Sequence, residues 1–446
     1  MIRNFLFCIS TDGTATKMNA GQMDSLFAKC ARRIVPFIAL LYLANTIDRV
    51  NVGFAALTMN QDMSFSPVVF GFGAGAFSFG YFFFQVPSGV MLSRLGARRW
   101  IFLIMLVWGL ISASSAFVQG PTSFYTLRIL LGAVEAGFTP GMFFYLTLWF
   151  PAPYRARYTA GFMAAIPLAS VIGGPLSSLI LGMEGVAGLH GWQWLFLIEG
   201  LPSCLLAFAV LNFLPDGPAK APWLHESEKR LIATALTQSD TSEHGDLWRA
   251  LRDYRVIALG IVLIATASTL YGTALWLPQI VQGMGFSNTE TGFIVAIPSL
   301  AAIPLMFIWA RSSDKSGERT WHVVLPMLLT AFSLALVSVV QNYLLVLIAL
   351  SITVISVLAA LAPLNNIPMS LLSGTGAAGG LALYNSIGNL GGFAGPYLLG
   401  ALKEATGDYA SGMATLAAML VAGALIVWGI NHPVARRLIS YGRMRE

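Results

Sequence analysis

Four ionisable residues stand in otherwise apolar surroundings. Asp48 and Arg49 lie in LANTIDRVNVGF (43–54), and Arg128 and Glu135 in RILLGAVEAGFTPG (128–141). Helical neighbours point about 100° apart, so Asp48 and Arg49 must face different partners. Arg128 and Glu135 are seven apart, two turns, and share one helix face. Two arginines and two carboxylates sum to zero charge. Protonating one carboxylate frees an arginine, whose planar fork grips a carboxylate bidentately. Releasing the proton restores the internal pair and expels the anion. The pattern therefore suits proton-linked binding of an organic anion; the alternative is a structural clamp between two helices. A charge at the centre of a spanning helix costs about 2.5–3.5 kcal/mol on insertion scales, which favours the functional reading.

The elements that carry these charges are membrane spans. Of the 446 residues, 56% are hydrophobic and 10% charged, and long apolar runs recur from residue 34 to 430. Twelve spans are predicted, at 34–58, 68–92, 100–119, 124–150, 156–181, 193–214, 255–279, 289–311, 321–340, 343–366, 376–402 and 410–430. The domain reading is an N-terminal segment 1–30, a six-helix bundle 31–214, a polar central loop 215–254, a second bundle 255–430 and a tail 431–446. A short surface helix is expected at HESEKRLIATAL in the loop. With the N-terminus inside, 23 of the 26 Lys and Arg residues fall on inward segments, which predicts cytoplasmic termini. The opening MIRNFLFCIS is too short for a signal sequence, Met18 or Met23 could equally be the start, and 1–30 receives no structural role.

The three cysteines and five histidines form no disulfide or metal-ligand spacing, so neither metal nor cofactor is expected. An enzyme lacks nucleophile and cofactor motifs, and a receptor lacks a soluble relay domain. The net charge of +6 reflects loop bias rather than nucleic acid.

The chain repeats itself. Gly71-Phe72 matches Gly292-Phe293, Ser93-Arg94-x-Gly96 matches Asp314-Lys315-x-Gly317, and Gly174-Pro175 matches Gly395-Pro396, all at an offset of 221 residues. Six spans per copy is even, so the repeats are parallel, related by an axis along the membrane normal. The same offset carries the four charges onto Thr269, Leu270, Ala349 and Ser356, so the second copy builds these helices without them.

GVMLSRLGARR (89–99) resembles the loop between helices 2 and 3 of the major facilitator superfamily, Gly-x-x-x-Asp-Arg/Lys-x-Gly-x-Arg-Arg. Gly89, Arg94, Gly96, Arg98 and Arg99 match, while Ser93 replaces the acid. The second copy, ARSSDKSGER, keeps Asp314, Lys315, Gly317 and Arg319 but has Ala310 in place of the first glycine. IDRVNVGFA, RILLGAVEAGFTPG, GLHGWQWLFLIEGLP and NSIGNLGGFAGPYLLG together resemble the anion:cation symporter branch, especially its phthalate-permease group.

The resemblance implies an all-α, twelve-helix protein of the inner membrane, working as a monomer by rocker-switch alternating access. It implies proton-coupled uptake of a small organic carboxylate such as tartrate, an aromatic acid or a sugar acid. A proton-driven exporter of metabolites or drugs is the alternative. Asp48 and Glu135 match the family's proton-coupling acids, Arg49 and Arg128 its basic pair, and Tyr81 and Asn385 its cavity-lining polar positions. A helix-5 Gln of some sugar-acid carriers falls near Pro167, which argues against assuming the same polyhydroxy cargo. Tyr271 in STLYGTALW is a further candidate from the residues themselves. Glu199 is expected to cap or pair locally near a helix end, Asn365, Asn366 and Asn389 to line the cavity or bond between helices, and GWQWLF to anchor at the interface.

Overall fold

The computed structural model describes residues 20–151, 154–155, 158–159, 162, 165–239, 252–371 and 374–431. The starts at Met1 and Met18, Arg157, positions 240–251 and the tail from 432 lie outside them. The regular elements among the described residues are all helices. The first half contains α1 (Ala20–Asp62), α2 (Pro67–Leu95), α3 (Ala97–Ser114), α4 (Pro121–Glu135), α5 (Phe138–Thr147), α6 (Ala165–Leu181) and α7 (Gly191–Phe213). The central loop carries α8 (Glu226–Ser239), close to its expected place. The second half contains α9 (Tyr254–Gln282), α10 (Asn288–Ser316), α11 (Thr320–Val339) and α12 (Tyr343–Leu371). It ends with α13 (Gly374–Asn389), α14 (Gly391–Thr406) and α15 (Ala410–Asn431). Taking α4 with α5 and α13 with α14 as interrupted spans gives twelve crossings in two parallel six-helix repeats. Among the described residues, nine helical stretches are long and apolar enough to cross a membrane, one of them α4 joined with α5 (Pro121–Thr147).

Helix ends follow their sequence signals. Pro67 opens α2 behind Ser66, whose Oγ accepts the Val69 N–H at 3.4 Å. Ser287 and Glu290 form a capping box at the start of α10. The two short loops of the repeated motif turn at glycines with φ of +77° (Gly96) and +66° (Gly317), a region that disfavours side chains.

The first span begins earlier than its apolar window. Phe27, Cys30 and Ile34 lie on one face of α1 and pack in the same core as Trp149 and Phe150. Lys29 meets Glu228 of α8 at 2.8 Å. Residues 20–30 therefore tie the first half to the central loop, and a boundary at residue 30 divides a continuous helix. Trp192 of GWQWLF also differs from expectation: it is buried, and its Nε1 donates to Asp62 at 2.7 Å.

The halves meet through α1 against α9, α2 against α14 and α6 against α10. The repeated motifs meet reciprocally. A Cβ on Gly71 would stand 2.6 Å from the Pro396 carbonyl oxygen, and one on Gly174 would stand 2.7 Å from that of Gly292. Adding or subtracting the repeat offset turns the first contact into Gly292 against Pro175, the neighbour of Gly174. This is the pseudo-twofold symmetry of a parallel duplication, and the close approach needs small residues.

These contacts lie towards the end of the molecule where α1 finishes at Asp62. Hydrogen bonds between the halves, among the described residues, fall there as well: Asn60 to Gln279 at 3.3 Å, Gln282 to the Leu57 carbonyl at 3.5 Å, and Ser66 to Glu404 at 2.6 Å. Towards the opposite end a cavity of about 490 Å³ separates the halves, lined by Phe82, Phe83, Gln85, Val86, Pro140, Ala382 and Ser386. The halves are closed on each other at one end and flank this cavity towards the other.

Candidate functional site

The four charges converge in the first half. Asp48 is 14 residues from the Asp62 end of α1, and Glu135 is 14 residues from the start of α4, so both lie about 21 Å deep from the closed end. Asp48 and Glu135 are fully buried and Arg128 is 4% exposed. Gly137 and Pro140 accompany the break between α4 and α5, directly after Glu135. At Gly132 a side chain would collide with the Phe77 carbonyl, so its absence lets α2 carry Phe77 and Tyr81 against α4.

The adjacency of Asp48 and Arg49 is resolved by two faces of α1. Asn45 and Arg49, four apart, both point at α4: the Asn45 amide donates to Glu135 Oε2 at 2.6 Å and Arg49 Nε donates to the same oxygen at 2.7 Å. Asp48 and Asn51, three apart, point away from α4, towards α3 and α7. Asp48 Oδ1 accepts from the Ser112 hydroxyl of α3 and from the Asn51 amide, the latter at 3.1 Å.

Arg128, expected on one helix face with Glu135, is not bonded to it. It lies within electrostatic range of both acids but makes no ion pair with either; its Nη2 donates to the Ala74 carbonyl at 3.4 Å. The guanidinium of Arg49 lies 5.1 Å from the Phe77 ring centre and 5.0 Å from that of Tyr81, and that of Arg128 lies 5.3 Å from Phe77. Tyr271 of α9 and Tyr42 of α1 also lie within electrostatic range of Arg49. The second half thus presents an aromatic hydroxyl to a charge of the first.

Among the described residues, several buried polar atoms here have no hydrogen-bond partner: Arg49 Nη2, Arg128 Nε, Glu135 Oε1 and Asp48 Oδ2. Two are guanidinium nitrogens, which can only donate. Arg49 keeps 16% of its side chain exposed while Glu135 is sealed, so the cation is the accessible member of that pair.

Asn385 is not part of this cluster. It is exposed on α13, on the same side as Ala382 of the cavity wall, and its amide donates to the Leu381 carbonyl of its own helix at 2.9 Å. Asn365 bonds between helices, accepting from the Tyr384 hydroxyl at 2.9 Å. In the repeated loops, Arg98 reaches the Leu211 carbonyl and lies 3.8 Å from Asp216, while Arg319 pairs with Asp314 at 2.6 Å. Among the described residues, the Ser93 hydroxyl bonds the Val90 carbonyl of its own turn, at 2.8 Å.

Glu199 corrects the reading of a local cap. It is buried on α7, takes a 2.7 Å hydrogen bond from the Ser177 hydroxyl of α6, and faces both Asn51 and Asp48. Asn45, Asn51 and Ser112 are the neighbours of the charged cluster that sequence reasoning missed. The spacing of Asn45 to Arg49 and of Asp48 to Asn51 was the available signal. In the second half Ser356, the counterpart of Glu135, shares a 2.7 Å hydrogen bond with Thr330 where the first half has an ion pair.

Comparison with known proteins agrees with this architecture. The family described as Major Facilitator Superfamily matches residues 38–396. A protein of Agrobacterium vitis named "Putative tartrate transporter" is 48% identical over 412 residues, covering 92% of this chain and 95% of the relative. A "Quinolone resistance transporter" of Acinetobacter baumannii is 39% identical, covering 91% and 94%. Among solved structures, the inward-facing, occupied form of a bacterial homologue of the human lysosomal transporter Spinster superposes with a TM-score of 0.74 at 16% identity, covering 91% and 96%. The chain is a multi-pass membrane transporter and belongs to the major facilitator superfamily.

Proposed function

We propose that this protein takes up a small organic carboxylate together with protons, by rocking its two halves about a central site. The carrying observation is the buried Arg49–Glu135 pair beside unpartnered donors on Arg49 and Arg128. A substrate carboxylate meeting those donors would compete with Glu135 for Arg49. Protonating Glu135 removes the competitor and leaves the site cationic; deprotonation restores the pair and ejects the anion. Tyr81 and Tyr271, one from each half, are placed to frame the cargo, so closure of the second half can report that it is bound. Asn385 would meet only the part of the cargo, or the exit path, that faces the open cavity.

The excess of Lys and Arg on one side supports cytoplasmic termini, which makes the open cavity cytoplasmic and the closed end external. The bacterial relatives support an inner-membrane location, and one chain holds the whole site, consistent with a monomer. The tartrate transporter named above favours a hydroxy-dicarboxylate among the three cargo classes. A second reading, proton-driven export, is favoured by the quinolone-resistance relative. Paired arginines favour anions over cationic drugs.

Uptake of labelled tartrate, phthalate and galactonate into vesicles, with and without an inward proton gradient, tests the proposal. Gradient-driven accumulation of one acid supports it. Accumulation of none, with proton-driven movement of a quinolone, would establish the export reading instead.

A further inference from the structure

Glu135 is held unsymmetrically. Its Oε2 accepts two hydrogen bonds, from the Asn45 amide at 2.6 Å and from Arg49 Nε at 2.7 Å, while among the described residues Oε1 accepts none. The mechanism above gives Arg49 a task and Asn45 none. Asn45 is 1% exposed and lies one turn before Arg49 on the same face of α1, so its amide meets the acid in the interior between α1 and α4.

The two donors differ in what they can do during a cycle. Arg49 is the partner that a cargo carboxylate would draw away. The Asn45 amide is neutral, offers the cargo no cation, and can stay with Glu135. Both bonds fall on one oxygen, so a proton can enter at Oε1 without breaking either. Oε2 then becomes the carbonyl oxygen of the acid and still accepts from Asn45. The carboxyl keeps one orientation whether ionised or protonated.

The other groups around Glu135 leave this task to the amide. On α4, Arg128 lies in electrostatic range without pairing. On α1, Asp48 lies in range but bonds Ser112 of α3 and Asn51 on the far face. The titratable groups that α2 and α9 bring, Tyr81 and Tyr271, lie beside Arg49 and in range of it. The repeat adds a second observation. The offset of 221 carries Asn45 onto Thr266, whose hydroxyl donates to the Val262 carbonyl of its own helix at 3.0 Å, and Glu135 onto Ser356, which bonds Thr330. Where the acid is missing, its partner position turns back on its own turn.

We propose that Asn45 is a positioning residue: it holds Glu135 by Oε2 through the cycle, leaves Oε1 as the oxygen that takes the proton, and sets the pH at which the proton is taken. As part of transport this rests on the symport reading; as a property of Glu135 it does not. A hydrogen bond to a carboxylate is stronger than the same bond to a neutral acid, so removing the donor disfavours the carboxylate more. The difference corresponds to a rise of about 0.4–1.5 pH units in the titration midpoint of Glu135. A bond that only ties α1 to α4, equally in both protonation states, would leave the midpoint unmoved.

Infrared spectroscopy of purified, ligand-free protein against pH tests this. The protonated-carboxyl C=O band of Glu135 is the one that Glu135→Gln abolishes. In Asn45→Leu, close to asparagine in size and without a donor, its midpoint should rise by the stated interval. Asn45→Ala removes the same donor and is read in the same way should the leucine variant not insert. Gradient-driven uptake of labelled tartrate into vesicles should extend to higher pH by a similar interval. A midpoint that neither variant raises overturns the proposal, even where uptake is gradient-driven. A raised midpoint with uptake that ignores the gradient would remove symport and leave the positioning role standing.

Discussion

Glu135→Gln isolates charge from shape. Glu135 Oε2 accepts from Asn45 at 2.6 Å and Arg49 at 2.7 Å, and Oε1 has no partner. A glutamine can place its carbonyl oxygen at the first position and its NH₂ at the second, so the fold and the local hydrogen bonds survive while the negative charge goes. A hydrogen bond to a charged group contributes about 1.5–3 kcal/mol and a neutral one about 1 kcal/mol. Arg49 is therefore released from its internal partner by roughly 0.5–2 kcal/mol, which tightens anion binding by about 2- to 30-fold at alkaline pH. In the wild type one proton taken up per anion lowers the dissociation constant by up to about tenfold per pH unit, through linkage. In Glu135→Gln that part of the slope should vanish, and the affinity should stay near the acid-side wild-type value. Calorimetric titration of purified protein between about pH 8 and 6, corrected for ionisation of the ligand, reads both numbers. Proton-driven accumulation in vesicles should be lost while substrate exchange continues. Wild-type accumulation in Glu135→Gln, or pH-independent wild-type affinity, would refute the reasoning.

Three further outcomes are expected. Arg128→Lys keeps a cation but loses the fork, so affinity should fall sharply in a protein that still inserts; unchanged transport would favour a structural clamp. Glu404→Ala removes the acceptor of the Ser66 hydroxyl (2.6 Å) and the Val68 N–H (2.9 Å), so a cysteine introduced near Ser66 should become more reactive to an impermeant thiol reagent added from the closed-end side; unchanged reactivity would show that this bond does not hold the end shut. Burial raises the Glu228 carboxyl, but the Lys29 ammonium and the His225 N–H outweigh it and hold the group below its ordinary value. Its contribution is thus present above the unfolded value near about 4.3 and lost as pH falls through the folded one, so protease cleavage within α8 should rise below about pH 4. Glu228→Gln should show the same cleavage at neutral pH.

The twelve spans and the duplication were legible because apolar length and a constant offset are properties of the chain alone. Asp48, Arg49, Arg128 and Glu135 stood out in the chain as well, since charges in hydrocarbon demand partners. Who meets whom was not legible. Arg128 was expected on one helix face with Glu135, but its orientation against Ala74 depends on how closely α2 packs on α4. Glu199 looked peripheral by its nearness to a helix start; its burial comes from α1 and α6, which bring Asn51 and Ser177 from distant parts of the sequence. The early start of α1 was readable in the spacing of Met23, Leu26, Phe27, Cys30 and Ile34, though hydropathy alone hid it.

The reciprocal glycine contacts at the closed end bear on how such a protein can change its cargo. At Gly71 and Gly174 the seam brings a glycine against the opposite half's backbone carbonyl, and it does so in nearly the same way on both sides of the pseudo-twofold axis. The charged site, by contrast, exists in one copy only. On the function proposed above, shape would govern the rocking and chemistry the passenger, and the two would be written in different residues. A new cargo could be acquired by altering the neighbours of Arg49 and Arg128 without retuning the joint. A bulky residue at Gly174 or Gly292, however, would disable every cargo alike.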